Sequence, residues 1–255
     1  MGNRRRRGSS KVWGIGGVAV VGVAVIALAG VALAEARQEE PANAGSVAES
    51  GFVQASPQVA PTVRPLVLPE DPAVLIFGDS FPLGVGMENS RQPTYPTLLA
   101  DAMGWTNLQV NAVGGTGLAA SSTDGPYDAR LAAAPDDFTP DLVIVQGSIN
   151  DIKPGPQLAR TGTADLLADL TVRWPAAQVV LVTPMTGDTA YEPLADAYAG
   201  AALGKAHVID STGTESWLPA DRPELRTVDT WHPSPAGQRA IADGLAAALQ
   251  ALLAA

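Results

Sequence analysis

From Ala73 onward the chain alternates short apolar runs with longer segments whose apolar residues recur at helical spacing. Ala73-Val74-Leu75-Ile76-Phe77 is an unbroken apolar run that stops at Gly78. A run of that length predicts a strand covered on both faces, as in a parallel sheet. Leu108–Val113, Leu142–Val145, Val179–Val182 and His207–Ile209 repeat the pattern. Between them, Thr94–Met103, Tyr127–Ala134, Gln157–Trp174 and Pro193–Leu203 read as helices. The last helix has the clearest start. Ser234 is a good N-cap, Pro235 suits the first helical position, and an Ala/Leu-rich stretch follows to Leu253. Five strands with intervening helices predict a doubly wound α/β sandwich. Ligand sites in such sheets lie beyond the carboxyl ends of the strands. Residues that carry chemistry are therefore expected where the apolar runs end.

Ahead of residue 72 the pattern is different. Arg4, Arg5, Arg6 and Arg7 form a basic cluster, followed by an uncharged apolar stretch from Val12 to Ala34. That stretch is long enough to cross a hydrocarbon core of roughly 30 Å as a helix. The cationic flank keeps its own side in the cytoplasm, so the remainder faces outward. Ala32-Leu33-Ala34 offers an A-x-A processing site, so residues 1–34 read as a signal peptide or a signal-anchor transmembrane helix. From 35 to 71, Pro41, Pro57, Pro61, Pro65 and Pro69 recur among Ala, Glu, Ser and Gln without apolar periodicity, which reads as a tether. Residues 72–255 form the domain. It is expected outside the cytoplasm, anchored at the membrane through the amino-terminal segment, or secreted if cleaved near Ala34.

Composition narrows the chemistry. There is no cysteine, which removes disulfides, thiolate metal sites and a cysteine nucleophile, and two histidines are too few for a multi-histidine metal centre. The formal net charge of −10 conceals an asymmetry, because five of the sixteen basic residues precede the first acid, Glu35. The chain from Glu35 onward carries 11 basic against 26 acidic residues, a net of −15. So acidic a surface repels phosphate backbones, and nucleic acid is not an expected partner.

Four segments carry candidate chemistry. The first run leads into Gly78-Asp79-Ser80, which sets a serine hydroxyl at a strand's carboxyl end or is an ordinary turn. An aspartyl nucleophile at Asp79 would call for a second aspartate two residues on, where Phe81 stands. The second run ends in Asn111-Ala112-Val113-Gly114-Gly115-Thr116-Gly117, whose glycines let backbone amides approach a ligand. Gly115-x-Gly117-x-x-Ala120 resembles a dinucleotide fingerprint, but it follows the second strand and lacks the acid about 20 residues on. The third run leads into Gln146-Gly147-Ser148-Ile149-Asn150-Asp151, where Asn150 is either a turn residue or an amide offered to a developing negative charge. Asp229-Thr230-Trp231-His232 stands before the final helix. A histidine between a carboxylate and a serine hydroxyl is what a serine hydrolase needs. His207, opening the fifth strand, reads as structural. Phe81, Leu83, Met87 and Trp231 are candidates either for an acyl pocket or for the core.

Together the four segments resemble the SGNH hydrolase family, the GDSL-type esterases and lipases, over residues of about 73 to 253. Ser80 matches the nucleophile of the G-D-S block and Gly115 the oxyanion glycine, with Gly114 the alternative. Asn150 matches the G-x-N-D block, and His232 with Asp229 the D-x-x-H block. Two positions depart: Phe81 replaces the leucine of G-D-S-L, and Ser148 stands where the family glycine usually does. The resemblance implies a three-layer α/β/α sandwich with a five-stranded parallel sheet, flavodoxin-like in plan. It implies hydrolysis of carboxylic esters through an acyl-enzyme on Ser80. His232 is the base and Asp229 its partner, and the Ser80 and Gly115 amides with the Asn150 side chain hold the oxyanion. No cofactor or metal is implied. The expected partner is a small-molecule or cell-envelope ester, met by a monomer. An envelope O-acyltransferase using the same triad, or an inactive surface binding module, are the alternatives.

Overall fold

The structure, a computed structural model, describes residues 63–134 and 137–255. The signal or anchor segment and the tether as far as residue 62 lie outside the described residues. Among those described, no helix is long and apolar enough to cross a membrane.

The elements run β1 (Ala73–Gly78), α1 (Tyr95–Met103), β2 (Asn107–Ala112), α2 (Tyr127–Ala132), β3 (Leu142–Gln146), α3 (Pro156–Arg173), β4 (Gln178–Val182), α4 (Glu192–Ala202), β5 (His207–Ile209) and α5 (Pro235–Leu253). The strands form one sheet in the order β2-β1-β3-β4-β5, with every pairing parallel. This is the five-stranded α/β sandwich that the alternation predicts.

Side-chain alternation along the strands divides the core in two. Val74 and Ile76 of β1, Leu142 and Ile144 of β3, and Val180 and Val182 of β4 pack with Leu98 and Leu99 of α1 and with Ile241, Leu245 and Leu249 of α5. The intervening Leu75, Phe77, Val143, Val145 and Leu181 pack against Leu131 of α2, Leu166, Leu167 and Leu170 of α3, and Leu194 and Tyr198 of α4. Each fully buried side chain of this size contributes roughly 1.5–3 kcal/mol of burial. Unbroken apolar runs are therefore needed only in strands covered on both faces.

β2 differs from the reading of its sequence. It is an edge strand whose residues are exposed or half-buried, with Val110 42% exposed. Asn107-Leu108-Gln109-Val110-Asn111 does alternate polar with apolar, which suits an edge rather than the centre.

The folded chain also begins before residue 72. Leu66 is buried in the core, and the Val67 amide donates to Gln178 Oε1 at 3.2 Å. Asp71 accepts from the Thr106 amide at 2.8 Å, fastening the segment beside β2. Proline spacing gives no sign of this, because a single anchoring leucine has no period.

The chain turns from β1 to β2 on one side and from β3 towards β5 on the other. The loops after β1 and β3 thus flank the point where the strand order reverses, where open α/β sheets form their crevice.

Candidate active site

Ser80 stands two residues past the end of β1 and is 6% exposed. Asp79 shapes the turn that presents it, since Oδ1 accepts the Phe81 amide at 2.9 Å. Phe81, the departure from leucine, is buried and packs edge-on to the His232 ring at 6.0 Å between centroids. Its carbonyl accepts from Gln238 Nε2 at 2.9 Å, while Gln238 Oε1 accepts the Tyr95 amide at 2.8 Å. A buried side chain of α5 thereby ties the serine loop to the start of α1.

His232 reaches the serine from the loop before α5. Its Nε2 lies 2.9 Å from Ser80 Oγ, and its Nδ1 2.6 Å from Asp229 Oδ2. Asp229 Oδ1 accepts from the Trp231 amide at 2.9 Å, the His232 amide at 3.0 Å and the Thr227 hydroxyl at 2.8 Å. Partial burial raises the Asp229 pKa, but these donors and the His232 ring outweigh it and hold the carboxyl well below the usual range. Asp229 therefore stays ionised and fixes Nδ1 as the protonated nitrogen, leaving the Nε2 lone pair towards Ser80. Thr230, between them, has φ 68°, the single positive value outside glycine among the described residues. A β-branched residue in that region carries strain, which is tolerated where geometry is functional. The loop after Ser80 closes on this group at Gly86, where a β-carbon would stand 3.1 Å from Asp229 Oδ2.

The remaining candidates lie around Ser80. A β-carbon on Gly114 would stand 3.8 Å from Ser80 Cβ, whereas Gly115, at φ 77°, faces open space. Among the described residues no acceptor takes the amide of Ser80, Gly114 or Gly115. Asn150 sits in the short turn Ile149–Ile152 after β3, with Nδ2 3.0 Å from Ser148 Oγ and 3.1 Å from the Thr116 carbonyl. Ser148, the departure from glycine, is fully buried, and its hydroxyl accepts the Asn150 amide at 3.1 Å. Its neighbour Asp151 accepts the amides of Leu118, Ala119 and Ala120 at 2.9, 2.9 and 2.6 Å, fixing the loop beyond β2.

Two buried glutamines escaped the reading of the sequence. Gln146 ends β3, donating from Nε2 to Asp79 Oδ1 at 2.8 Å and accepting the Tyr95 hydroxyl at 2.9 Å. Gln238 is 0% exposed. The available signal was a polar residue ending the run Leu142–Val145, and another on the α5 stripe of Ile241, Ala242, Leu245 and Leu249. Arg130 of α2 also went unread: its guanidinium donates to the Gly78 carbonyl at 3.0 Å and to Asn111 Oδ1 at 2.6 Å.

A cleft of about 590 Å³ opens beside the pair, lined by Phe81, Ile149, Met185, Asp188, Arg226, Trp231 and their neighbours. Of the four apolar candidates, Phe81 and Trp231 line it. Leu83 is half-exposed, and Met87 lines a separate groove near Arg226. His207 opens β5, the edge strand, in register with Val180 of β4.

Residues 76–240 match the profile of the GDSL-like Lipase/Acylhydrolase family. No curated protein sequence matches the chain. Among solved structures, a carbohydrate esterase family 2 enzyme with a carbohydrate-binding domain from Corynascus thermopiles (Myceliophthora fergusii) is similar. It has a TM-score of 0.56 and 21% identity over 76% of this chain and 69% of its own. A family two carbohydrate esterase from Cellvibrio japonicus gives 0.57 and 20% over 74% and 63%. One from Clostridium thermocellum, in complex with cellohexaose, gives 0.57 and 17% over 74% and 67%. At these identities the likeness is one of fold.

Proposed function

This chain belongs to the GDSL-like lipase/acylhydrolase family and is a serine ester hydrolase, and from that premise we propose that Ser80, His232 and Asp229 are its catalytic triad. The observation that carries the assignment is the continuous line from Asp229 through His232 to Ser80, at 2.6 and 2.9 Å. As Ser80 Oγ attacks the ester carbonyl, its proton passes to His232 Nε2, and Asp229 stabilises the imidazolium. The carbonyl oxygen becomes an oxyanion held by the Ser80 and Gly115 amides and by Asn150 Nδ2. His232 then gives the proton to the departing alcohol, leaving an acyl-enzyme, and activates water for the second half. A serine-directed phosphonate is expected to label the wild type once, at Ser80, and labelling is expected to need His232. An adduct on Ser80→Ala would remove Ser80 from the mechanism.

A carbohydrate ester is the substrate class we favour. Trp231 is 56% exposed and lines the cleft together with Asp188 and Arg226, offering a sugar ring a flat apolar face beside polar groups. The carbohydrate esterases of similar fold support this reading. Hydrolysis rates across esters of increasing acyl length, beside release of acetate from acetylated xylan, test it. A rate that climbs with acyl length favours lipid instead. Slow hydrolysis that sugar acceptors accelerate, with acylated sugar formed, favours the O-acyltransferase.

The domain is proposed to work outside the cytoplasm, anchored or secreted, on the basis of Arg4–Arg7 ahead of Val12–Ala34. Protease added to intact protoplasts should remove it, and full protection until lysis would reverse the topology.

A further inference from the structure

Behind the oxyanion donors, the buried polar atoms outnumber the protons available to join them. Ser148 Oγ lies 2.7 Å from Asp79 Oδ2 and 2.8 Å from the carbonyl oxygen of Thr116. Both are O–H···O hydrogen-bond lengths, yet a hydroxyl has one proton to donate. The Asn150 amide donates into Ser148 Oγ from 3.1 Å and so puts no proton between either oxygen pair. With Asp79 ionised, one pair would be pressed together with nothing between.

The two carboxyl oxygens of Asp79 are unequally furnished. Oδ1 accepts two N–H donors, Phe81 N at 2.9 Å and Gln146 Nε2 at 2.8 Å. The Gln146 amide is oriented by the Tyr95 hydroxyl, which donates to its Oε1. Oδ2 faces the Ser148 hydroxyl, with Asn150 Nδ2 further off at 3.4 Å. Two donors on one oxygen and another oxygen against its twin is the pattern of a carboxylic acid, carbonyl at Oδ1 and hydroxyl at Oδ2.

We propose that Asp79 is held as a neutral acid that donates to Ser148 Oγ, that Ser148 donates onward to the Thr116 carbonyl, and that this relay frees the second N–H of Asn150 for the oxyanion. With Asp79 neutral, Ser148 Oγ accepts from the acid and from the Asn150 amide. Thr116 O then accepts from Ser148, and one Asn150 Nδ2 proton is shared between Ser148 Oγ at 3.0 Å and Thr116 O at 3.1 Å, which leaves the other for the oxyanion. An ionised Asp79 would draw Asn150 Nδ2 towards Oδ2 and set a negative charge beside the one that grows on the substrate. Asp79 is thus a positioning residue, and Ser148 is its acceptor.

The surroundings agree in balance. Asp79 is completely buried, and burial raises its pKa, against the pull of its hydrogen bonds and of a charged His232. Arg130 of α2 favours the ionised form but contacts the Gly78 carbonyl, not the carboxyl. Tyr95 of α1 and Tyr127 of α2 are buried with their hydroxyl pKa values raised, and so are neutral. Asp151 is engaged by three loop amides, and Gln146 of β3 carries no charge.

The proposal rests on the oxyanion role of Asn150 for its consequence, but not for the proton itself. Infrared difference spectra of resting wild type against Asp79→Asn at neutral pH should show a protonated-carboxyl band that the variant lacks. Ser148→Ala removes the acceptor and should shift that band to higher frequency, while Ser148→Thr keeps the hydroxyl and the band position. Ser148→Ala should lower kcat about 10- to 100-fold with KM little changed. Asp79→Asn, whose amide can donate as the acid does, should retain far more activity than Asp79→Ala. Absence of the band in folded wild type overturns the proposal. A band present in a protein whose turnover ignores Asn150→Ala would instead fault the oxyanion reading and leave the proton on Asp79.

Discussion

Ser80 and His232 meet at 2.9 Å, but the segments that bring them together are built differently. Behind the serine, Asp79, Gln146, Ser148 and Gln238 are between 0 and 1% exposed. They are joined across 67 positions of chain between Gln146 and Asp79, and across 157 between Gln238 and Phe81. Around the histidine, Asp229 takes its hydrogen bonds from residues two or three positions away, and its side chain is 38% exposed. Burial is the difference that matters. A buried donor or acceptor left without its partner costs about 1–3 kcal/mol, whereas an exposed one turns to water. The serine side of the site is therefore part of the fold's stability, and the histidine side is a local loop that can fail chemically while the domain stays folded.

The largest expected effect tests the histidine side. His232→Ala should lower kcat by on the order of 10⁶, as Ser80→Ala should. Its melting temperature should stay within about 2 °C of wild type. Unfolding of His232→Ala would break the comparison. Asn150 lies between the two regimes, half-buried but aimed at the site. Asn150→Ala should cost about 10²–10³ in kcat with KM little changed. Near-normal turnover with a lowered melting temperature would make it a loop cap only.

On the serine side the order of effects reverses. Gln146→Leu strips a donor from Asp79 and an acceptor from the Tyr95 hydroxyl. Loss of a few kcal/mol is expected, seen as a fall of about 5–10 °C in thermal melts. A melt like that of wild type would mean water replaces the amide and that this side is not sealed. Thr230→Asn sharpens the same contrast from the exposed loop. Asn tolerates a left-handed backbone, so this variant should gain about 1 kcal/mol in urea unfolding. Loss of stability would show that the Thr230 side chain contributes more than its strain costs.

The smallest effect is a dependence on pH. Asp229 has a folded pKa below its ordinary 3.8, so its stabilisation is complete above that value. It is lost as pH falls through the depressed value, because the unfolded chain then binds the proton more readily. Urea midpoints measured from neutral pH down into this acid window should fall more steeply for wild type than for Asp229→Asn. Parallel slopes would show that the hydrogen bonds held by the Asp229 carboxylate add no stability.

The extent to which the sequence announced these features follows their range along the chain. Strands β1, β3 and β4 were legible because burial on both faces demands an apolar run, and α5 because Ser234 and Pro235 mark its start. β2 was misjudged as buried because its apolar content hid an alternation that belongs to an edge. Leu66 was lost in a Pro-rich stretch, since one anchoring residue makes no pattern. Ser148 read as a departure from glycine, and only its neighbours in space reveal four oxygen and nitrogen atoms converging on one hydroxyl.

The sequence by itself determined the alternation of strand and helix and the order of the blocks around Ser80, Gly115, Asn150 and His232. Those are properties of residues within a few positions of one another, where backbone propensity and turn chemistry act. Only the tertiary structure decided that β1 lies between β2 and β3, and hence that a serine and a histidine 152 positions apart share a hydrogen bond. It also decided that Trp231 faces the cleft while Leu83 does not, and that Gln146 and Gln238 are buried partners rather than surface amides. Such outcomes depend on which faces pack together, a sum over contacts distant in the chain that no local pattern encodes.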